Sequence, residues 1–237
     1  MVITAETPVR DIVVDVPNAI PVLEQFGIDY CCGGKHTLAE ACTKGDQSIA
    51  LVLEELERRG QDTAGPEVEW QTAPLCELIQ YIVQKHHTFT RDQLALIQEL
   101  AFKVERRHGT ARPEVHKVNE ALAAISAELT HHFFCEEKVL FPYIEQLEQT
   151  QTPVALTVFD DIQQPITRMM KDHEQTGGEL RVLREITNHY QPPDDACTTY
   201  RALYRAMEDL ELDLHRHIHL ENNILFPRAL SLESERS

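Results

Sequence analysis

The chain has 237 residues, of which 42% are apolar, and carries 22 Lys+Arg against 39 Asp+Glu for a formal net charge of −17. That length supports a sizeable core and that apolar content excludes a disordered chain, while the acidic balance argues against a nucleic-acid backbone or an anionic membrane as partner. No apolar run exceeds about five residues where a spanning helix needs about 20, the start of the chain has no apolar core of signal-peptide length, and six Cys are too few for a disulfide scaffold, so a cytoplasmic protein with reduced thiols is expected.

Residues 1–59 read as a small helical module. After Pro17-Asn18, the apolar-periodic Ile20, Leu23 and Phe26 form one short helix that Gly27 closes as a C-cap. The string Asp29-Tyr30-Cys31-Cys32-Gly33-Gly34 follows. Thr37 and Glu40 fit a capping box, and Ser48 can cap a further helix with Ile49, Val52, Leu53 and Leu56 on one face. Residues 60–73, rich in Gly, Pro, Thr and charge and without period, read as a linker.

Residues 74–237 are helical in pattern throughout. Four long segments are predicted, roughly 74–106, 114–141, 155–190 and 197–226, separated by Gly109 and Pro113, by Pro142 and Pro153, and by Pro192-Pro193. No alternating strand pattern is present. The expected fold is all-α, an up-down-up-down four-helix bundle.

Each segment carries an apolar stripe that ends in a histidine. In the second, Val118, Leu122, Ile125, Leu129, His132, Glu136 and Val139 follow steps of four and three, the seam of a bundle helix. The fourth repeats it with Leu203, Met207, Leu210, Leu214, His217, Glu221 and Ile224. The first leads through Leu75, Ile79 and Ile82 to His86; the third leads through Phe159, Ile162, Ile166 and Met169 to His173. An internal repeat underlies this. His132-x3-Glu136…Phe141-Pro142 matches His217-x3-Glu221…Phe226-Pro227 at an offset of 85 residues. The bundle therefore reads as two helical hairpins, each bringing one His on its first helix and His-x3-Glu on its second.

On an α-helix, positions i and i+4 lie within about 40° of one another. His132/Glu136 and His217/Glu221 thus each present two groups on one inward face. Burying ionised carboxylates without compensation costs several kcal/mol each, and a bound cation removes that cost. Six ligands exceed the four of a structural zinc and suit two cations bridged by the two Glu. Imidazole and carboxylate with no inward thiolate favour iron or manganese. The small residues Thr90 and Gly177, four beyond His86 and His173, leave room for an open position where a diatomic could bind.

By the same phase, His87 and His131 point about 100° away from the ligands, and His215 and His219 turn to other faces. With His36, His108, His116 and His189 they read as solvated or supporting residues. Glu128, four before His132, and Asp172, beside His173, are candidates to orient the ligands. For Cys31 and Cys32 two readings stand: exposed thiolate-prone thiols beside a flexible Gly-Gly, or small buried residues in a tight turn. Adjacent cysteines rarely close a relaxed disulfide. Cys42, Cys76, Cys135 and Cys197 read as packing residues.

These residues resemble the bacterial iron–sulfur cluster repair di-iron proteins over essentially the full length. Asp29-Tyr30-Cys31-Cys32-Gly33-Gly34-Lys35 looks like that family's N-terminal signature, and the remainder looks like its hemerythrin-like domain, closing on His217-x3-Glu221-Asn222-Asn223-Ile224-Leu225-Phe226-Pro227. The resemblance implies two iron ions per chain held by His86, His132, Glu136, His173, His217 and Glu221, with both Glu bridging. It implies cytoplasmic repair of clusters damaged by oxidative or nitrosative stress, by iron donation or nitric oxide reduction. Damaged iron–sulfur proteins and nitric oxide are the implied partners, with homodimers in some members. Cys31 and Cys32 match thiols with a redox, iron-transfer or partner role. Members with a further His in the stretch after the first ligand differ from this chain, which has His87, Thr88, Phe89 and Thr90 there.

The alternative is an oxygen-binding protein like hemerythrin, or an oxygen or iron sensor. Carriers of that type use a second His where this chain has Gly177, and a fourth-helix carboxylate five rather than four residues after its His. Both differences count against a stable oxygen carrier, and no recognisable output domain supports a sensor.

Overall fold

The computed structural model describes residues 2–16, 18–60, 69–150 and 161–236, and all regular elements among them are helical. Pro17, Pro153, Phe159 and most of the linker expected at 60–73 lie outside the described residues. The short helices α1 (Val9–Asp15), α2 (Ala19–Gln25), α3 (Leu38–Lys44) and α4 (Ile49–Gly60) come first. Next is a run of α5 (Leu75–Tyr81), a π-helical turn (Ile82–His87) and α6 (Thr88–His108). The second long run is α7 (Glu114–Cys135), a π-turn (Glu136–Leu140) and α8 (Phe141–Gln149). Then come α9 (Gln163–Ile186) and finally α10 (Thr198–His219), a π-turn (Leu220–Leu225) and α11 (Phe226–Arg236). The chain divides into two compact units, one of Ile79–Leu214 and one of Met1–Leu78 with His215–Ser237.

The Ile79–Leu214 unit is a four-helix bundle of α6, α7, α9 and α10, as the stripes require. Its core holds Leu94, Ile97 and Val104 of α6, Val118, Leu122, Ile125 and Leu129 of α7, Leu180 and Leu183 of α9, and Leu203, Met207, Leu210 and Leu214 of α10. Burying each such side chain stabilises by about 1.5–3 kcal/mol. One polar pair joins α9 to α10: the Arg184 guanidinium donates to both oxygens of the buried Glu211 at 3.1 and 2.6 Å. That bidentate geometry is what a buried carboxylate needs.

The proline break expected at Pro142 does not break its helix, and Pro227 of the repeat behaves alike. Pro142 and Pro227 each follow a π-turn and sit in the first turn of the next helix, α8 and α11. A π-turn closes its hydrogen bond one residue further along than an α-turn, and the first turn of a helix has N–H groups with no intrahelical acceptor. A proline there loses no bond. The Glu…Phe-Pro repeat of the sequence is therefore a repeated structural device: a π-turn over Glu136–Leu140 and another over Leu220–Leu225, each followed by Phe-Pro.

In the other unit, two local sequence signals are met as read. Gly27 takes φ +63° and closes α2, with Ile28 N donating to Leu23 O at 2.9 Å. Thr37 and Glu40 form a reciprocal capping box on α3. The N-terminal core of Val9, Ile12, Leu23, Ile28, Tyr30, Leu38, Val52 and Leu56 includes Ile218 of α10. Polar contacts tie the same elements together. Arg216 donates to both oxygens of Glu24 at 2.9 and 2.8 Å, and the Tyr30 hydroxyl donates to Glu24 at 2.9 Å. Asn222 and Asn223 donate to the carbonyls of Cys31 and Tyr30 at 3.2 and 3.0 Å. The N-terminal module therefore packs on the C-terminal end of α10 and the π-turn after it.

His219 lies in this packing, buried, with its Nδ1 accepting from Asn223 at 2.9 Å and its ring edge-on to Tyr30. Burial pushes its pKa down to about 4. The unfolded chain then takes up a proton that the folded chain refuses between about pH 6.5 and pH 4, so the stability held by neutral His219 is complete above that window and lost as pH falls through it. Metal-free protein is expected to lose about 2 kcal/mol of stability between pH 7 and pH 5 from this group, and His219→Gln to lose correspondingly less. Urea unfolding at the two pH values measures the difference.

Candidate metal centre

Within the bundle, α7 and α9 bring three expected ligands together. His132 Nε2 lies 2.9 Å from Glu136 Oε1 and 2.9 Å from His173 Nε2, and His173 Nε2 lies 3.9 Å from Glu136 Oε1. Glu136 has no exposure, and His132 and His173 are 4% and 2% exposed. Two imidazoles and a carboxylate with donor atoms within 4.8 Å of one another form a group able to hold a cation. Nitrogen and oxygen donors in the bundle interior suit iron or manganese better than a soft metal. In the other unit, His217 Nε2 and Glu221 Oε1 stand 3.1 Å apart and are likewise buried.

On the first long run the residue facing Glu136 is not the expected one. His87, read from phase as turned away, is fully buried, with Nε2 3.4 Å from Glu136 Oε2. His86 is also buried, but its Nδ1 meets Asp213 of α10 at 3.0 Å and its ring packs edge-on against Tyr81. The reason is the π-turn over Ile82–His87. A π-turn inserts about one residue relative to α-helical phase, so a stripe counted at 100° per residue arrives one position early. The inward position moves from His86 to His87.

Supporting residues also differ from expectation. Glu128 was the candidate to orient His132, but the acid near that ring is Asp172, with Oδ2 3.8 Å from Nδ1. Glu128 accepts from Thr176 and Gln175, each at 3.1 Å, and burial followed by the neighbouring Glu179 raises its pKa. Glu137 was not singled out in the sequence. It accepts from His87 Nδ1 at 2.8 Å and from Arg91 at 2.7 Å. Burial pushes its pKa up, but these two hydrogen bonds outweigh that and hold it below the usual carboxylate range. A signal existed for Asp213: it stands four before His217 as Glu128 stands four before His132. His36, His116, His131 and His189 are exposed, as read.

The N-terminal thiols settle between the two readings. Cys31 is buried and Cys32 half-buried, with sulfurs 3.7 Å apart and no disulfide. Asp29 Oδ1 accepts from the backbone N–H groups of Cys31 and Cys32 at 3.1 and 3.0 Å and from the Cys31 thiol at 3.4 Å. The Cys31 thiol is pushed well above its ordinary range, first by its hydrogen bond to Cys32, then by burial and by the Asp29 carboxylate. Cys31 is therefore held as a thiol, against the thiolate-prone reading. Among the remaining cysteines, Cys42 is buried, Cys76 and Cys135 are half-buried, and Cys197 is exposed beside His108 Nε2 at 3.3 Å rather than packed.

Residues 78–229 match the hemerythrin HHE cation binding domain, and residues 5–59 match the ScdA_N domain, a domain of unknown function. The iron-sulfur cluster repair protein YtfE of Escherichia coli O81 (strain ED1a) is 36% identical over 229 residues, covering 96% of this chain and 98% of its own. The chain belongs to this iron–sulfur cluster repair family. Proteins of the same name from Escherichia coli O17:K52:H18 (strain UMN026 / ExPEC) and from Escherichia fergusonii match at the same 36% over 229 residues. The repair family's cation-binding domain spans every expected ligand position from His86 to Glu221, and its N-terminal domain spans Cys31 and Cys32. Among the described residues, no helix is long and apolar enough to cross a membrane.

Swapping the two neighbouring histidines decides between them. His87→Ala is expected to lower affinity for ferrous iron at least tenfold, and His86→Ala to lower it less, as measured by chelator competition. Iron kept by His87→Ala and lost by His86→Ala would return the ligand to His86.

Proposed function

We propose that this chain repairs iron–sulfur clusters damaged by oxidative or nitrosative stress, acting through two iron ions held in the hemerythrin-like bundle. The observation that carries this is the buried group of His132, Glu136 and His173, found in a chain that matches the iron–sulfur cluster repair proteins over nearly its whole length. The proposed ligands are His87, His132, Glu136, His173, His217 and Glu221, with His87 in place of His86. His217 and Glu221 enter from the stripe of the fourth segment. Helix α10 is continuous from Met207, Leu210 and Leu214 in the bundle core to His217, three residues beyond Leu214, and the His-x3-Glu string repeats that of α7.

When bound, iron supplies one-electron chemistry toward nitric oxide and is itself the cargo that a damaged cluster lacks. The protein's own residues set the conditions. Glu136 and Glu221 bring negative charge into an apolar interior, which favours cations and disfavours their loss to water. The neutral imidazoles bind as nitrogen donors that release metal more readily than thiolates would. Thr90, fully buried, keeps a small side chain one turn beyond His86.

Cys31 and Cys32 take the transfer or redox role in this reading. Held as a thiol by Asp29 and Cys32, Cys31 is protected from adventitious oxidation until a partner or metal draws off its proton. Damaged iron–sulfur proteins are the proposed partners and the cytoplasm the proposed location.

Elemental analysis is expected to find about two iron ions per chain, lost together in Glu136→Ala/Glu221→Ala, as for bundle-core metal pairs that share carboxylates. Zinc alone, or iron that survives the double substitution, would overturn the centre. Cys31→Ser/Cys32→Ser is expected to keep its iron yet restore less activity to a cluster enzyme inactivated by nitric oxide. Equal restoration removes the thiols from the mechanism.

A further inference from the structure

We infer that Glu137 and Arg91 are positioning residues for His87, locking its tautomer and ring so that Nε2 faces the metal position. The inference rests on the assignment of His87 as an iron ligand made above.

Four side chains form a closed ring of contacts. His87 Nδ1 lies 2.8 Å from Glu137 Oε1. Glu137 Oε1 accepts from Arg91 Nη2 at 2.7 Å. The Arg91 guanidinium stands 5.4 Å over the Phe133 ring, and Phe133 stacks on His87 with centroids 4.1 Å apart and planes 9° apart. Two helix turns build the ring. His87 and Arg91 are four apart on the first long run, and Phe133 and Glu137 are four apart on the second. The π-turn that brings His87 inward ends at that residue, and the one that carries Glu137 begins at Glu136.

Each contact restrains a different freedom of the imidazole. A carboxylate already bound to a guanidinium accepts hydrogen bonds and donates none. Nδ1 must therefore carry a proton, which leaves Nε2 as the nitrogen that faces the metal position, on the side of Glu136 at 3.4 Å. The Phe133 stack fixes the ring plane. Arg91 in turn keeps Glu137 from rotating toward water, since the pair lines a surface cleft of about 380 Å³. Consecutive glutamates thus divide the work: Glu136 faces Nε2 and Glu137 faces Nδ1. Groups placed this way behind a histidine ligand are worth about 10–100-fold in metal affinity.

A role in the fold alone is separable from this one. Arg91 is half exposed and Glu137 is partly so, so their replacement leaves the bundle core intact. At a pH where His87 is neutral, full-length, metal-free protein with ¹⁵N-labelled histidine is expected to show it wholly as the Nδ1–H tautomer by NMR. Glu137→Ala is expected to convert it to a mixture and to weaken ferrous iron binding by about 10–100-fold in chelator competition, with an unchanged thermal melting curve. Glu137→Gln, whose amide oxygen still accepts from Nδ1, is expected to restore the tautomer and most of the affinity; Arg91→Met falls between. An unchanged tautomer and affinity in Glu137→Ala would overturn the inference and leave the centre standing. Full affinity in His87→Ala would remove His87 as a ligand, and the ring would then position no metal-binding group whatever the tautomer.

Discussion

The structure turns on one buried carboxylate. Glu136 lies inside an apolar bundle with no exposure, and an ion of that kind in that place costs several kcal/mol unless charge comes to meet it. His132, His173 and His87 stand around it as nitrogen donors. A cation supplies that charge outright. The sequence around Glu136 answers to this: histidines one turn before it and on two other helices, stripes of Leu, Ile and Val that keep water out, and a π-turn that begins at Glu136 itself. Contrast Glu211, another buried acid. It meets the Arg184 guanidinium through two hydrogen bonds and needs nothing further.

The π-turns are the device that lets helices do this. A regular α-helix repeats every 3.6 residues and returns only certain positions to one face. Widening one turn shifts everything beyond it by about one residue. Over Ile82–His87 this places both histidines of a pair in the interior, one toward Asp213 and one toward Glu136. Over Glu136–Leu140 it lets consecutive glutamates serve different sides of His87, and it lets Pro142 follow without ending the run. Such turns are rare and concentrate at functional sites because they leave the hydrogen-bond ladder weaker than the α-form.

The N-terminal module shows the opposite balance. Cys31 is buried in its core and Cys32 is half-buried beside it. Asp29 gathers two backbone N–H groups and the Cys31 thiol, while Asn222 and Asn223 hold the carbonyls of Cys31 and Tyr30. Hydrogen bonding satisfies the turn and keeps Cys31 protonated.

Much of this was legible from residue types and spacing alone. Local rules sufficed for the Gly27 cap, the Thr37/Glu40 box and the apolar stripes, because each depends on residues a few positions apart. The same holds for His-x3-Glu, which any helix places on one face, and for the 85-residue repeat that marks two alike segments. Which of His86 and His87 faces Glu136 was not legible, since a fixed angle per residue cannot foresee a π-turn whose cost is met by packing against other helices. Nor were the partners Glu137, Asp172 and Asp213, which lie near their histidines in space through helix pairing and not through sequence distance. The all-α fold class and the His-x3-Glu pairs follow from the sequence by itself. Only the tertiary structure decided the register of the first histidine, the protonation of Cys31 and the ring around His87, because each depends on distances between segments that no single helix contains.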